Sequence, residues 1–465
     1  MEQLTKRILA IVLIAVIGVG VGITVWIFVA PYPWSATDCP GAPSNITEDQ
    51  IIKFGVLGGI YDIQGRGQIE GAELAAREIN EAGGVTVGGK TYYVGLTWED
   101  TDESNPNLVT TTGVAAAERI INYKQVQFLT GGFRTEALEV YLETVMDAKR
   151  PFIGTGAATD SFCENVLDNY DRYKYWFRNM PINSSSLGAE IIGFLAAYAS
   201  VLSSPAYANR TINKYGILYE DLEWAEPLVA ALKAYLPLYV PGSTIVADRP
   251  YPITATQTDM DGYMDQIQAN NTQILIPVIS AQGGILMMKS YQSGLPGYGF
   301  VVIGIDVQSQ LDSFWSDSLG ACEFETVLQA LYRTAKTPVS IPFWDAYTAR
   351  YHKDPLYTAV GSYDAIYQYI WAINQSQSFN PDTIVSTLET INTANTLAGA
   401  GGYAAFTVSH DVWEGYPFGY TLFVQWQAGE TKIVAPAFDH PYPNSLATGS
   451  YQTPIVHYPT WVFNT

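Results

Sequence analysis

The sequence predicts an α/β protein of two lobes, each a mostly parallel sheet covered by helices on both faces, standing behind an N-terminal transmembrane helix. Three observations carry this. From about residue 51 onward, short apolar runs alternate with amphipathic stretches of helical period, and strands linked by helices imply right-handed crossovers and a parallel sheet. The series stops near 179–186 and restarts, which divides the chain into two such units. At 465 residues, the chain is longer than one ordinary core accommodates.

The elements follow in order. Residues 52–57 (Ile-Lys-Phe-Gly-Val-Leu) read as a strand. A helix follows at 68–82, with Ile69, Ala72, Leu74, Ala75, Ala76 and Ile79 near helical spacing and Gly83-Gly84 as its stop. Strands at 92–98, 126–129 and 151–154 alternate with helices at 107–122 and 135–148. In the second unit, helices at 186–202, 224–235, 258–269 and 283–293 alternate with strands at 215–219, 243–247, 273–279 and 300–304. Helices dominate beyond 304, with a long one at 356–374, and late strands at 404–408 and 420–427 complete the lobes.

Composition narrows the function. Lys and Arg total 24 against 45 Asp and Glu, a net charge of −21. Such a surface repels phosphate backbones, so no nucleic-acid partner is expected. His352, His410, His440 and His457, with Cys39, Cys163 and Cys322, stand without ligand spacing, so no metal site and no cofactor are expected. Cys163 and Cys322 are available for a disulfide outside the cytoplasm, and a buried free thiol fits Cys163 equally well.

The amino terminus sets the compartment. Residues 8–30 are 23 uncharged, mostly apolar residues, and at ~1.5 Å each their helix spans the ~30 Å core of a bilayer. Lys6 and Arg7 precede the run, which keeps that end cytoplasmic and places everything after Ala30 outside. A signal peptide has a shorter apolar region, about 7–15 residues, so an uncleaved single-pass anchor is expected, with residues 31–49 as an extended stalk. Cys39 follows Asp38 several residues past the run, and lipid modification there is not expected. Sequons at Asn45, Asn183, Asn209, Asn270 and Asn374 agree with an external, glycosylated body. The acidic, Tyr-rich body suits an archaeal or Gram-positive-type surface.

In sheets of this kind, ligands sit beyond the carboxyl ends of the strands. That selects loops at 58–67, 131–136, 155–160, 220–224, 280–283 and 306–308. The segment Ile52-Lys53-Phe54-Gly55-Val56-Leu57-Gly58-Gly59, then Gly71-Ala72-Glu73-Leu74-Ala75 and Ile79-Asn80-Glu81-Ala82-Gly83-Gly84, resembles the opening of type I periplasmic solute-binding proteins. Within them it is most similar to the leucine/isoleucine/valine-binding family of ABC transporters. The turn Glu99-Asp100-Thr101-Asp102 and the loop Gly154-Thr155-Gly156-Ala157-Ala158-Thr159 resemble that family's acidic turn and its loop after the fourth strand. The resemblance implies two Rossmann-like lobes joined by hinge strands: lobe one from 50–181 and 330–408, lobe two from 182–329 and 409–436. The tip and anchor (1–30) and the stalk (31–49) precede them, and an extension (437–465) follows. It also implies an extracytoplasmic solute-binding protein that delivers a small ligand to an ABC transporter permease, and not an enzyme.

Carried over position by position, the resemblance implies a ligand carboxylate at Phe133, Arg134 and Thr135, with contacts from Ala157 and Thr159. In lobe two it implies an aromatic contact from Trp224, a second loop at Ser280, Ala281 and Gln282, and an ammonium partner in Asp306. Arg134 stands where the family has a small hydroxyl residue, Trp224 where Tyr is usual, and Ser280 near an expected aromatic, so leucine itself is not implied. The chemistry of the side chains agrees with an amino acid or amide-like solute. A guanidinium accepts a carboxylate and a carboxylate pairs with an ammonium, and Trp224 with Tyr61 or Phe133 forms an apolar wall. On this map Arg134 and Asp306 meet from opposite lobes.

Each residue also has a purely structural reading. Arg134 has Glu136 and Glu139 within reach, Asp306 and Thr159 suit helix caps, and Trp224 suits a core. Gly58, Gly59, Gly65 and Gly67 read as turn and close-approach glycines, not a phosphate cradle. No nucleophile elbow follows a strand, and Asp100 with Asp102 read as a solvated acidic turn. A sensory ectodomain and a structural surface protein on the same fold stay open.

Overall fold

β1 (Ile51–Gly58) lies inside the first sheet and is buried at every position but Lys53, as an apolar strand covered by helices on both faces should be. In the computed structural model, which describes residues 13–15, 26–28, 31–280, 283–293, 298–427, 431–436, 458 and 462, it is followed by α1 (Ile63–Glu81), β2 (Val85–Val87) and β3 (Lys90–Asp100). The lobe continues with α2 (Thr110–Glu118), β4 (Phe128–Gly131), α3 (Thr135–Asp147), β5 (Phe152–Gly154), α4 (Ser161–Asp168), α5 (Tyr170–Tyr173) and β6 (Trp176–Arg178). The strand order is β2-β3-β1-β4-β5-β6, parallel except for the β2–β3 hairpin.

The second sheet begins after α6 (Ser184–Leu202), with β7 (Lys214–Glu220), α7 (Ala225–Tyr239), β8 (Thr244–Tyr251), α8 (Gln257–Ala269) and β9 (Ile274–Ile279). It continues through α9 (Gly284–Ser293), β10 (Val301–Asp306), α10 (Phe314–Asp317) and β11 (Thr326–Gln329). The chain then returns to the first lobe with α11 (Ser340–Tyr351), α12 (Tyr357–Ser376), α13 (Pro381–Leu388) and the short pair β12 (Leu397–Ala398) and β13 (Tyr403–Ala404). β14 (Leu422–Gln427) and β15 (Thr431–Pro436) finish the second sheet, in the order β8-β7-β9-β10-β11-β14-β15 with the last two antiparallel. The chain therefore crosses between sheets three times, at 179–183, 330–339 and 405–421.

Several elements differ from expectation for local reasons. α1 starts at Ile63, not 68, because the Asp62 carboxylate caps it by accepting from the Gly65 N–H at 2.7 Å. Gly65 and Gly67 therefore lie inside the helix. A Cβ on Gly65 would stand 2.2 Å from the Gly59 carbonyl, and one on Gly71 1.9 Å from that of Ala359, so these glycines let α1 approach the β1 loop and α12. No strand forms over 404–408 beyond Ala404: the Thr407 hydroxyl accepts from the N–H groups of Ser409 and Asp411 and holds a turn instead.

The flanking segments also differ. Residues 31–49 are not a free stalk but are docked on lobe one. Trp34 is buried, with Nε1 donating to the Lys124 carbonyl at 2.6 Å, and Asn80 donates to the Pro40 carbonyl at 2.8 Å. Of the expected transmembrane helix, Leu13–Ala15 and Trp26–Phe28 are extended and paired with each other, and the rest lies outside the described residues. The run is rich in β-branched Val and Ile, which suit extended pairing as well as a helix. Among the described residues, one helix is long and apolar enough to cross a membrane, the largely buried α6 of the second lobe.

Cys39, Cys163 and Cys322 are all free and buried. Cys163 sits in the core of lobe one and Cys322 in that of lobe two, so of the two readings left open the disulfide does not form and Cys163 is the buried free thiol. Asn45, Asn209, Asn270 and Asn374 are exposed, whereas Asn183 caps α6 and donates to Asp411. From the extension, Tyr458 and Val462 join the lobe-two core.

Candidate functional site

The loops at the carboxyl ends of the strands from both sheets enclose a cavity of about 70 Å³. Lobe one meets it with Glu103, Ser104, Phe133, Arg134 and the backbone at Gly156 and Ala158. Lobe two supplies Trp224, Ser280 and Gln310, with an aliphatic wall that includes Ile253, Ile305 and Val307. A dry cavity of roughly 150 Å³ holds benzene, so a guest of that size enters only if the lobes part or their side chains shift. The lobes touch across the cleft: Gln64 Nε2 donates to the Ser280 carbonyl at 3.0 Å, and the Glu223 N–H donates to Glu136 Oε1 at 3.2 Å.

Arg134 precedes α3 and lines the cavity. Its Nε donates to Glu136 Oε2 at 3.1 Å and its Nη1 to the Asn105 carbonyl at 3.0 Å. The side chain is thus paired with Glu136 and also lines the cavity. Phe133 lines the cavity and packs onto the lobe-two core. Thr135 and Thr159 are buried and hydrogen-bonded to each other. Ala157 is buried, with its carbonyl 3.3 Å from Arg178 Nη1, so its neighbours Gly156 and Ala158 reach the cavity in its place. Trp224 precedes α7 and walls the cavity, while its Nε1 donates to Glu220 Oε2 at 3.3 Å. Ser280 lines it too, and its N–H and hydroxyl both bond that same carboxylate oxygen, at 2.9 and 2.6 Å. Gln282, like Ala281, lies outside the described residues.

Thr135 and Thr159, like Ala157, do not line the cavity, and two further expected residues stand elsewhere. Tyr61 is 88% exposed, on the rim of an outer groove that adjoins the cavity at Ser104. Asp306 is fully buried, but alternation along β10 turns Ile305 and Val307 to the cavity and Asp306 away from it. Its carboxylate instead faces the start of α9, where a Cβ on Gly284 would lie 2.1 Å from Oδ2. Burial, opposed by bonds from Gln308, Ser309 and Glu325 and reinforced by Glu220, lifts the Asp306 carboxyl to about 7. The structure therefore does not bring Arg134 and Asp306 to a common space.

Glu103 was not singled out by the sequence and lies in the cavity wall, fully buried. Its measured contacts are long, the Gly59 N–H at 3.3 Å and the Tyr141 hydroxyl at 3.4 Å, and the Phe133 N–H also acts on it. No cation pairs with it among the described residues. Burial first, and Asp62 second, raise its carboxyl to about 8. Its position at the carboxyl end of β3 was the available signal. Tyr357, whose hydroxyl donates to the Gly156 carbonyl at 3.2 Å, also lines the cavity and comes from the distant α12.

Buried cations tie the crossovers together. Arg178 binds Asp411 bidentately, at 2.8 and 2.5 Å, and reaches the Thr159 carbonyl at 2.8 Å. Lys336 donates to the Ala330 carbonyl at 2.7 Å and to that of Tyr420, and burial lowers it to about 7. No group of acids, His and Cys suited to a metal occurs among the described residues.

The profile of the family described as "Periplasmic binding protein" matches residues 52–418. A relative from Brucella melitensis, named "Leu/Ile/Val-binding protein homolog 8", is 24% identical over 398 residues, covering 83% of this chain and 90% of its own. Among solved structures, the branched-chain amino acid transporter substrate-binding protein LivJ of Streptococcus pneumoniae, in complex with isoleucine, superposes with a TM-score of 0.64 at 17% identity, over 83% of this chain and 99% of its own. A solute-binding protein of an ABC transporter from Rhodopseudomonas palustris, in complex with 3,4-dihydroxy benzoic acid, gives 0.65 at 19%, over 83% and 98%. With two α/β lobes closing on a cavity and a family match spanning most of the sequence, the chain belongs to the periplasmic binding protein family, whose fold is that of solute-binding proteins and not of an enzyme family.

Proposed function

We propose that this protein is the extracytoplasmic solute-binding component of an ABC importer, held at the membrane by residues 8–30. It captures a small solute with one carboxylate and a compact apolar body, an amino acid or an aromatic acid, and presents it to a permease. The observation that carries the reading is the interlobe cavity, where Arg134 stands opposite an apolar wall of Trp224, Ile305 and Val307. Isoleucine and 3,4-dihydroxy benzoic acid, the guests of two similar structures, share that combination of carboxylate and apolar body.

In this reading Arg134 and Ser104 take the carboxylate and the lobe-two wall takes the body. Because the guest touches both lobes, it favours the closed state, with lobe one (50–181, 330–408) and lobe two (182–329, 409–436) moving about the three crossovers. The length and apolarity of 8–30 support the anchor, and the exposure of the sequon residues Asn45, Asn209, Asn270 and Asn374 supports an external, glycosylated body.

The test is a thermal-shift titration of the full-length protein in detergent with leucine, isoleucine, benzoate and 4-hydroxybenzoate. A ligand at a hundred times its Kd stabilises by about 2.7 kcal/mol. A saturable shift with at least one carboxylate is expected, and no shift with any of them overturns the reading.

A further inference from the structure

Resting on that reading, we propose that Glu103 is the ammonium receptor of the cavity and the residue that selects α-amino acids over acids lacking an amino group. Glu103 and Arg134 both come from lobe one, and Arg134 bonds the carbonyl of Asn105, two residues beyond Glu103. One short loop, 103–105, therefore carries the acid and is tied to the base, and Glu103, Ser104 and Arg134 share one cavity wall. An α-amino acid carries its ammonium and carboxylate on one carbon, so it suits a patch on one lobe. The alternative acid, Asp306, faces away from the cavity.

The bonding of Glu103 is what a receptor awaiting a cation would show. Its protein contacts are all neutral: long hydrogen bonds from the Gly59 N–H at 3.3 Å and the Tyr141 hydroxyl at 3.4 Å, and the backbone N–H of Phe133, in full burial. A buried carboxyl without a cation is costly to ionise. The groups acting on it are Asp62 from the loop before α1, Tyr141 from α3 and the backbone N–H groups of Gly59 and Phe133, while Arg134, in the same cavity wall, is paired with Glu136. Burial and Asp62 hold the acid protonated below about pH 8. Docking an ammonium then displaces that proton: Glu103 goes from carboxylic acid to carboxylate, the ligand stays an ammonium, and one proton leaves to solvent.

The test uses leucine, isoleucine and phenylalanine, each against its own des-amino acid, titrated calorimetrically into the full-length protein and its Glu103→Gln variant from pH 6 to 9. In the natural protein, amino-acid affinity should rise by up to about tenfold per pH unit until pH 8 and then level, with proton release read from the buffer dependence of the heat. The des-amino acids should bind more weakly and without that rise. Glu103→Gln should keep the ligand-free thermal midpoint and the des-amino affinities, lose the pH dependence, and bind amino acids roughly 10- to 150-fold more weakly at pH 8. A variant with unchanged amino-acid affinity and pH slope, or des-amino acids binding as tightly as their parents, overturns the role of Glu103 and leaves solute capture standing. Binding of neither kind by the natural protein overturns both.

Discussion

The two jaws of the cavity are built from the same kind of lobe but differ in charge. Lobe one contributes the charged side chains of the wall, Glu103 and Arg134, beside Ser104, Phe133 and Tyr357, while lobe two contributes Trp224, Ile253, Ile305 and Val307 with only the uncharged Ser280 and Gln310 as polar groups. Lobe two does own buried acids at its strand ends, but it spends them on itself. One oxygen of Glu220 gathers the Ser280 N–H, the Ser280 hydroxyl and the Trp224 indole, and Asp306 faces the start of α9. A position at the carboxyl end of a strand brings a residue to the cleft. The direction of its side chain decides whether it serves the ligand or the loop. In the proposed function, lobe one reads the charged end of the solute and lobe two adds buried area on closure.

That division is open to direct attack. The largest expected effect is on stability, in the apolar jaw: Trp224→Ala removes a side chain only 8% exposed and should cost about 3–5 kcal/mol, read from urea unfolding, besides weakening ligand binding. Next is the polar jaw. Arg134→Ala should weaken carboxylate binding by roughly 10- to 150-fold yet change stability by less than about 1 kcal/mol, because its pair with Glu136 is partly solvated.

A third prediction concerns the acids that face away from the guest. Folding raises Asp306 and Asp364 from 3.8 to about 7, in both cases chiefly through burial. As pH rises, the unfolded chain releases these protons first. Their stabilisation is therefore complete below about pH 4 and is lost as pH climbs through 7. Unfolding free energy measured against pH should fall between 4 and 8, and Asp306→Asn should flatten the slope without changing ligand affinity. The smallest effect is expected at Gln64, whose bond to the Ser280 carbonyl spans the cleft. Gln64→Ala should lower ligand affinity by about 1 kcal/mol or less, with little change in urea midpoint.

Much of the fold was legible because burial on both faces leaves a continuous apolar run, as in β1 and β9, and because helices carry their own period. What escaped was set by partners distant in sequence. The start of α1 depended on the Asp62 cap and on glycines packed against Gly59 and Ala359. Residues 31–49 looked like a linker from their prolines, but Trp34 finds a pocket and a carbonyl on lobe one. At the site, the loops carrying Phe133, Arg134, Trp224 and Ser280 were identified from strand ends alone. The direction of Asp306 was not, since a shift of one residue in register reverses it. Glu103 was hidden in an acidic stretch whose neighbours Asp100 and Asp102 bond local backbone and side-chain groups at the partly exposed turn, and nothing in composition distinguishes a buried acid from a solvated one.

The most direct test of the polar-jaw, apolar-jaw division is a parallel isoleucine titration of the natural protein, Arg134→Ala and Asp306→Asn, with the thermal midpoint as readout. The account predicts a saturable upward shift in the natural protein and an equal one in Asp306→Asn, and a clearly smaller one in Arg134→Ala at the same concentrations. A shift undiminished in Arg134→Ala and lost in Asp306→Asn would place recognition in the other lobe and contradict it.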